Sequence, residues 1–185
     1  MLKDLVQRAE RDMRKAIEAT AREFNGVRTG RASPALLDGI LVDAYGTPTL
    51  LPKVATVGTA ATNLLTVQPW DPSLVPLIEK AILKSDLGIT PATDGKTIRL
   101  AIPPLTEERR KELVKVVRRM AEEGRVAIRN TRRDANVAAK KLEKEKKISE
   151  DEGRRAVDQI QELTNRIIKE IETLLAKKEK EIMEF

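Results

Sequence analysis

The segment TEERRKELVKVVRRMAEEGRVAIRNTRRDANVAAKKLEKEKK, from Thr106 to Lys147, contains no proline and places apolar residues at steps of three and four. This spacing predicts one continuous amphipathic helix, about 60 Å long at 1.5 Å per residue. Thr106 can cap its amino end, and acidic residues follow in the first turn. The predicted apolar stripe consists of Leu113, Val116, Val117, Met120, Ala127, Ile128, Ala135, Ala138 and Leu142. A single helix of this length cannot bury the stripe by itself, so partner helices are required.

Two further amphipathic segments supply those partners. Residues 2–24 repeat apolar side chains at helical spacing up to Phe24 and end near Asn25-Gly26. Another helix begins at Ser149, where Glu152 three residues later completes a capping-box pattern, and continues towards the carboxyl end. Three stripes of this kind predict an elongated antiparallel three-helix bundle with coiled-coil-like packing.

Between Arg31 and Pro104 the helical pattern gives way to strand and turn signals. Residues 39–46 and 63–70 are predicted strands, residues 73–87 a short helix stopped by Gly88, and residues 89–102 a hairpin turning at Asp94-Gly95. All nine prolines of the chain lie in this interval. The sequence therefore predicts an α+β fold. Its bundle comprises residues 1–29 and 106–185, and a small β-rich α/β domain of residues 31–104 is inserted in it.

Two short connections join the predicted domains. Gly30 and Arg31 lead out of the bundle, and Gly30 permits a sharp bend. The return consists of Pro103, Pro104, Leu105 and Thr106, in which the two prolines stiffen the chain and prevent the helix from extending upstream. Two connections without a large shared surface predict a limited hinge.

The composition excludes several classes of chemistry. The 185 residues include no cysteine and no histidine, which removes thiolate nucleophiles, zinc–thiolate sites and the usual neutral-pH general base. Gly95-Lys96-Thr97 resembles the end of a phosphate-binding loop, but Thr90 stands where that motif requires a glycine. No apolar run is long enough to span a membrane. We expect a cytoplasmic protein that is not an enzyme and holds no cofactor or metal.

The excess positive charge is confined to one part of the long helix. Residues 125–147 contain nine Lys or Arg and three acids, so their net charge of +6 equals that of the whole chain. At about 100° per residue, most of these cations fall on an arc of about 120°. We call this arc the basic strip; its members are Arg125, Arg129, Arg132, Arg133, Lys140, Lys144 and Lys147, with Lys111, Lys115 and Arg118 upstream.

Several partners could explain such a strip. An ordinary solvated helix face would place acidic residues four positions from the basic ones. No acidic residue lies between Arg125 and Arg133, so this explanation is disfavoured. A membrane-surface helix would need bulky apolar residues opposite the charges. A nucleic acid, and RNA in particular, fits a straight arginine-rich surface without aromatic residues. A coiled-coil-like adaptor that binds an acidic protein helix remains the alternative.

Specific segments of the chain resemble the ribosome recycling factor family. They are VRTGRASPALLDGI at 27–40, YGTP at 45–48, KAILKSDLGITP at 80–91, IPPLTEERRKEL at 102–113 and RNTRRDAN at 129–136. The resemblance implies an L-shaped monomer about the size of a transfer RNA. It also implies that the protein binds ribosomes after termination and hydrolyses nothing itself. With the GTPase elongation factor G and GTP, it would split them into subunits while its bundle lies on large-subunit ribosomal RNA.

The same resemblance assigns roles to individual residues. Arg129, Arg132 and Arg133 match the main ribosome-binding arginines, and Arg132 is the first choice among them. The basic strip adds Arg125, Lys140 and Lys144 to the expected RNA-binding residues. Arg28 and Arg31 match basic positions near the junction, where they are expected either to contact RNA or to hold the orientation of the two domains. Arg110 also matches a basic position near the junction, but it projects towards the apolar side of the helix, so a structural role is equally expected there. The hinge positions are Gly30, Arg31, Pro103, Pro104, Leu105 and Thr106.

Overall fold

The computed structural model describes residues 1–184, which divide into two compact units. The first unit combines Met1–Arg28 with Glu107–Glu184, and the second is the intervening segment Thr29–Thr106. The second unit is therefore an insertion in the first. Phe185, the last residue of the predicted bundle, lies outside the described residues.

Three long helices form the first unit. Helix α1 spans Leu2–Asn25, α3 spans Glu107–Lys144 and α4 spans Glu150–Glu184, while the shorter α2, Val75–Lys84, belongs to the second unit. Ion pairs between the helices show that α1 runs parallel to α4 and that both run antiparallel to α3. These pairs are Arg166–Glu10, Arg14–Glu170, Arg118–Glu179 and Arg125–Glu172. The predicted three-helix bundle is confirmed.

The bundle core lies where the three apolar stripes meet. Met13 of α1, Ile128 of α3 and Ile167 of α4 are completely buried there. The buried row of α3 passes through Leu113, Val117, Ala121, Gly124, Ile128, Ala135 and Ala139. Ala127, which the sequence placed in the stripe, is exposed instead. The correction follows from geometry, since Ala127 lies about 100° around the helix from Ile128.

Helices α1 and α3 pack tightly against each other at Gly124. A Cβ atom added to Gly124 would lie 2.4 Å from Thr20 Oγ1 and 3.1 Å from Ile171 Cδ1. Thr20 is buried, and its hydroxyl donates to the carbonyl oxygen of Ala16 at 3.1 Å. The absence of a side chain at Gly124 therefore permits the observed packing of all three helices.

A tight turn joins α3 to α4. Lys146 adopts a left-handed conformation with φ 56°, and the Lys147 N–H donates to the carbonyl oxygen of Leu142 at 2.9 Å, as in a Schellman motif. The Ser149 N–H then donates to Glu152 Oε2 at 2.7 Å, and the Glu152 N–H donates to Ser149 Oγ at 3.1 Å. The predicted capping box is confirmed, and it fixes where α4 begins.

Replacing Ser149 by alanine is expected to destabilise the bundle by about 1 kcal/mol, because the Glu152 N–H loses its acceptor. Thermal unfolding should detect this loss. The hydrogen bond from the Ser149 backbone N–H lowers the pKa of Glu152 below its ordinary value. The resulting stabilisation is therefore present above the unfolded-state pKa and is lost as the pH falls through the lower folded-state pKa.

The pH dependence provides an independent check of the capping box. Stability of a Glu152→Gln variant should fall less between neutral and acidic pH than that of the unchanged chain. Asp151→Asn, one residue away and outside the box, is the control. Equal pH profiles for Glu152→Gln and the unchanged chain would contradict this role.

The second unit is built from antiparallel strands and α2. Its strands are β1 Leu41–Ala44, β2 Thr47–Leu50, β3 Ala55–Ala61, β4 Leu64–Pro69, β5 Ala92–Asp94 and β6 Thr97–Ala101. The first two form a separate hairpin, and the others form a sheet in the order β3-β4-β6-β5. Leu65 and Val67 of β4 and Ile98 of β6 are buried in one core with Ile78 and Ile82 of α2. The small β-rich part of the predicted α+β fold is thus confirmed.

Several details of this unit differ from the sequence prediction. Strands β2 and β3 were not predicted. Strand β2 contains Pro48 and pairs with β1, while β3 is rich in small residues. Helix α2 ends at Lys84 rather than at Gly88, because Ser85 turns to ψ 163° and its hydroxyl donates to the Ile82 carbonyl oxygen at 2.6 Å. The β5–β6 hairpin turns at Gly95-Lys96, one residue later than predicted.

Both connecting segments are fixed to one turn of the second unit. The Ala32 N–H donates to the carbonyl oxygen of Thr62 at 2.8 Å, and the Ile102 N–H donates to that of Asn63 at 2.7 Å. Thr62 and Asn63 are adjacent in the turn between β3 and β4. The outgoing and returning chains are therefore held side by side at Ala32 and Ile102.

Candidate nucleic-acid interface

The basic strip lies along one flank of α3, beside the buried row that contains Gly124, Ile128 and Ala135. Arg133, Lys140 and Lys144 are exposed, whereas Arg125, Arg129 and Arg132 are partly buried. The predicted members thus share one flank of one helix, but their surroundings differ. We call residues 118–129 the proximal end of the strip and residues 132–144 its distal end.

The proximal end is closed by ion pairs. Arg125 Nε lies 2.8 Å from Glu122 Oε2, and Arg125 Nη1 lies 2.6 Å from Glu172 Oε1 on α4. The Arg125 side chain is only 17% exposed. Arg129 Nη1 lies 3.3 Å from the other oxygen of Glu122, and the Arg129 side chain is 42% exposed. Two carboxylates therefore neutralise two arginines of the strip.

This arrangement corrects the expectation of an unpaired strip. Glu122, an apparent interruption of the strip in the sequence, bridges two of its arginines. The hydrogen bond from Arg125 lowers the pKa of Glu122, so this carboxylate remains charged at neutral pH. Farther upstream, Arg118 Nε lies 2.7 Å from Glu179 Oε1 of α4. Arg125 is therefore held in ion pairs with Glu122 and Glu172.

The distal end is open. Arg132 Nη1 donates to the amide oxygen Oε1 of Gln161 at 3.2 Å, which orients the guanidinium without cancelling its charge. Arg133, Lys140 and Lys144 form no ion pair with any residue among 1–184. Four cations of the predicted set thus remain available to an external anion.

One row of α4 side chains explains the difference between the two ends. Glu172 and Glu179 contact the proximal arginines, whereas Gln161 contacts Arg132. The Gln161 amide also donates from Nε2 to Asn165 Oδ1 at 2.9 Å. We use the name facing row for four residues of α4: Gln161, Asn165, Glu172 and Glu179. Because the helices are antiparallel, the row is acidic beside the proximal end and neutral beside the distal end.

The remaining predicted cations lie elsewhere. Arg110 is half-buried, and its Nη1 donates to the carbonyl oxygen of Met183 at 2.9 Å, near the end of α4. This contact satisfies a carbonyl that the helix leaves open and supports the structural role. Arg28 is exposed beyond the end of α1, towards the start of α3 and away from Arg132. Arg31 is exposed and belongs to the second unit.

The facing row could not be identified from the sequence. Glu122 precedes Arg125 by three residues, a spacing at which side chains of a helix meet, so this ion pair could have been identified from the sequence. Gln161 and Glu172 reach the strip from another helix, and their positions depend on the register between α3 and α4. No sequence pattern fixes that register.

The described residues contain no group of acidic side chains arranged to hold a metal ion. Among residues 1–184, none of the helices combines the length and apolar character needed to cross a membrane.

Comparison with known proteins agrees with the fold and the resemblance. The family model described as ribosome recycling factor matches residues 20–183. The ribosome-recycling factor of Carboxydothermus hydrogenoformans is 56% identical over 183 residues, covering 99% of each chain. A solution structure of the ribosome recycling factor has a TM-score of 0.73 and 43% identity, covering 100% of this chain and 98% of the other.

A second solved structure describes the T. thermophilus ribosome recycling factor and E. coli elongation factor G on the E. coli post-termination complex. The matched chain has a TM-score of 0.63 and 48% identity, and 98% of each chain is covered. With a family match over most of its length and a relative of this similarity, the chain belongs to the ribosome recycling factor family.

Proposed function

We propose that this protein binds the post-termination ribosome and, with elongation factor G and GTP, separates it into subunits so that messenger and transfer RNA can leave. Membership of the family supports the proposal. A structural relative described together with elongation factor G on a post-termination complex also supports it. The observation on which the RNA contact depends is the distal end of the basic strip. Arg132 is partly buried there, Arg133, Lys140 and Lys144 are exposed, and none of the four forms an ion pair with residues 1–184.

The proposed contact of this surface is large-subunit ribosomal RNA. The residues involved are Arg132, Arg133, Lys140 and Lys144, together with Arg129 once Glu122 is displaced. Arginine can donate two parallel hydrogen bonds to phosphate oxygens. Helix α3 has no aromatic residue on which bases could stack. Recognition through phosphate and shape is therefore favoured over recognition of base sequence.

The proposed hinge comprises residues 30–31 and 103–106. Gly30 has φ 78°, a conformation that strains any residue with a side chain. The backbone hydrogen bonds of Ala32 and Ile102 hold the connections within the second unit, so rotation is confined to the residues outside them. In this proposal the monomer acts as a stiff bundle with one joint, through which elongation factor G displaces the small domain.

A subunit-splitting assay tests the proposal. Post-termination ribosomes are mixed with the protein, elongation factor G and GTP, and each component is omitted in turn while light scattering follows splitting. Splitting should require all three additions. Splitting that is unchanged without the protein would contradict the proposal. Failure to co-sediment with ribosomes would also contradict it and would favour the acidic-protein adaptor.

Restricting the hinge should slow splitting without weakening ribosome binding. Thr106→Pro adds a third proline to the returning connection, after Leu105, and fixes one more backbone angle. Combined with Gly30→Ala, it should reduce the splitting rate several-fold in the same assay, while co-sedimentation stays unchanged. Gly39→Ala in the second unit is the control, because a Cβ there meets nothing within 4 Å. A normal splitting rate in the hinge variant would rule out the proposed joint.

A further inference from the structure

We infer that the facing row of α4, together with Glu122, determines which cations of the basic strip a polyanion can reach. Glu122, Glu172 and Glu179 act as built-in counter-anions at the proximal end. Gln161 acts as a positioning residue that orients Arg132 and leaves its charge unneutralised. This inference rests on the proposed RNA contact, and it assigns to α4 a part in selecting where that contact is made.

The geometry of the proximal end shows why a phosphate is excluded from Arg125. Its guanidinium contacts Glu122 at 2.8 Å and Glu172 at 2.6 Å, and little of the side chain reaches solvent. A phosphate would have to break two charge-assisted hydrogen bonds and approach two carboxylates. Arg118 has one such pair, with Glu179 Oε1 at 2.7 Å, but its side chain is 64% exposed, so a phosphate can reach it more easily than it can reach Arg125.

Arg129 has an intermediate environment. Its one ion pair in the described chain is the 3.3 Å contact with Glu122, whose side chain is half exposed. Exposed pairs of this kind contribute at most about 1 kcal/mol. A phosphate can therefore displace Glu122 from Arg129 more readily than it can open the pairs of Arg125.

The distal end has the opposite character because the facing residue is an amide. Gln161 accepts one N–H of Arg132, and a guanidinium has five such donors. The Asn165 side chain holds Gln161 in turn, so the amide oxygen points at the arginine. A neutral acceptor limits the motion of the guanidinium without competing for its charge, which prepares Arg132 for a phosphate.

Two substitutions with opposite expected effects on binding affinity test this inference. Gln161→Glu adds a carboxylate beside Arg132 and should weaken binding to purified large ribosomal subunits by about tenfold. Glu122→Gln removes the competitor of Arg129 and should strengthen binding by about threefold. Releasing one cation should also steepen the fall of log K with log salt by roughly 0.7 to 0.9.

Matched controls separate this local effect from net charge. Gln159→Glu adds the same charge two residues from Gln161, beside α1 and away from the strip. Glu123→Gln removes the same charge one residue from Glu122, and Glu123 forms no ion pair with residues 1–184. Both controls should leave the affinity and its salt dependence close to those of the unchanged chain. Thermal unfolding of all four variants checks that the bundle is intact.

Co-sedimentation with large subunits over a series of salt concentrations gives distinguishable outcomes. Weaker binding by Gln161→Glu and tighter binding by Glu122→Gln, with unaffected controls, is the expected result. Normal binding of the unchanged chain with no difference between each variant and its control would overturn the inference alone. No binding by the unchanged chain would overturn the proposed function and this inference together.

Discussion

Replacing Arg132 by glutamate is expected to reduce the affinity for large ribosomal subunits by about 100-fold, since hydrogen bonds to charged groups contribute about 1.5–3 kcal/mol and the new carboxylate also repels phosphate. Among the arginines of the strip, Arg132 combines a fixed orientation from Gln161 with freedom from carboxylates in residues 1–184. The loss should be greatest at low salt, because a phosphate contact is removed. The bundle should remain folded, because Gln161 is exposed and can bond to water.

Co-sedimentation and the splitting assay measure this effect. Arg119→Glu is the matched control, because Arg119 is another arginine of α3, exposed, and lies about 220° around the helix from the partly buried Arg132. Helical circular dichroism and thermal unfolding should be unchanged in both variants. Equal losses of binding in the two would show that net charge, rather than the strip, sets the affinity.

The second large effect concerns the stability of the bundle. Replacing Gly124 by alanine is expected to destabilise it by about 2 kcal/mol, because the new methyl group would collide with Thr20 Oγ1 and crowd Ile171. Alanine favours helix over glycine by about 1 kcal/mol, which offsets only part of the strain. Thr20 is buried and bonded to the Ala16 carbonyl oxygen, so it cannot move without losing that bond. The melting temperature should fall by several degrees.

Two further variants make this test specific. Thr20→Ala removes the colliding oxygen, so the double variant Thr20→Ala/Gly124→Ala should be more stable than additivity predicts. Gly153→Ala is the control, because its nearest neighbour is the end of the Glu143 side chain, at 2.9 Å, which can rotate away. Gly153→Ala should be neutral or stabilising. A Gly124→Ala protein as stable as the unchanged chain would show that the helices can separate at no cost.

Local signals made the bundle predictable. The capping box at Ser149, the apolar spacing of α3 and the end of α1 near Asn25 each depend on residues within one or two turns. Each was confirmed, apart from the placement of Ala127 in the stripe of α3. Strands β2 and β3 lack such signals. Strand β2 contains a proline, and β3 has few large apolar residues and therefore no clear alternating pattern. The positions of both strands depend on pairing with neighbouring strands.

The candidate site was predictable to a lesser extent. The helical wheel placed the basic residues on one flank of α3, which the structure confirms for Arg132, Arg133 and Lys140. It could not show that Arg125 is paired with Glu172, because that contact joins residues of two helices. The periodicity of one helix determines on which side of that helix each side chain lies. Whether a carboxylate of another helix neutralises a given arginine depends on the axial register between the two helices.

The backbone bonds from Ala32 to Thr62 and from Ile102 to Asn63 have a consequence for folding. Once they form, the two ends of the inserted unit are neighbours, and the bundle helices α1 and α3 are joined by a short connection rather than by a long flexible loop. The entropy of closing that connection then depends on the few residues outside the bonds instead of the whole insertion. Early formation of the second unit would thus accelerate assembly of the bundle, whereas its unfolding would lengthen the effective loop.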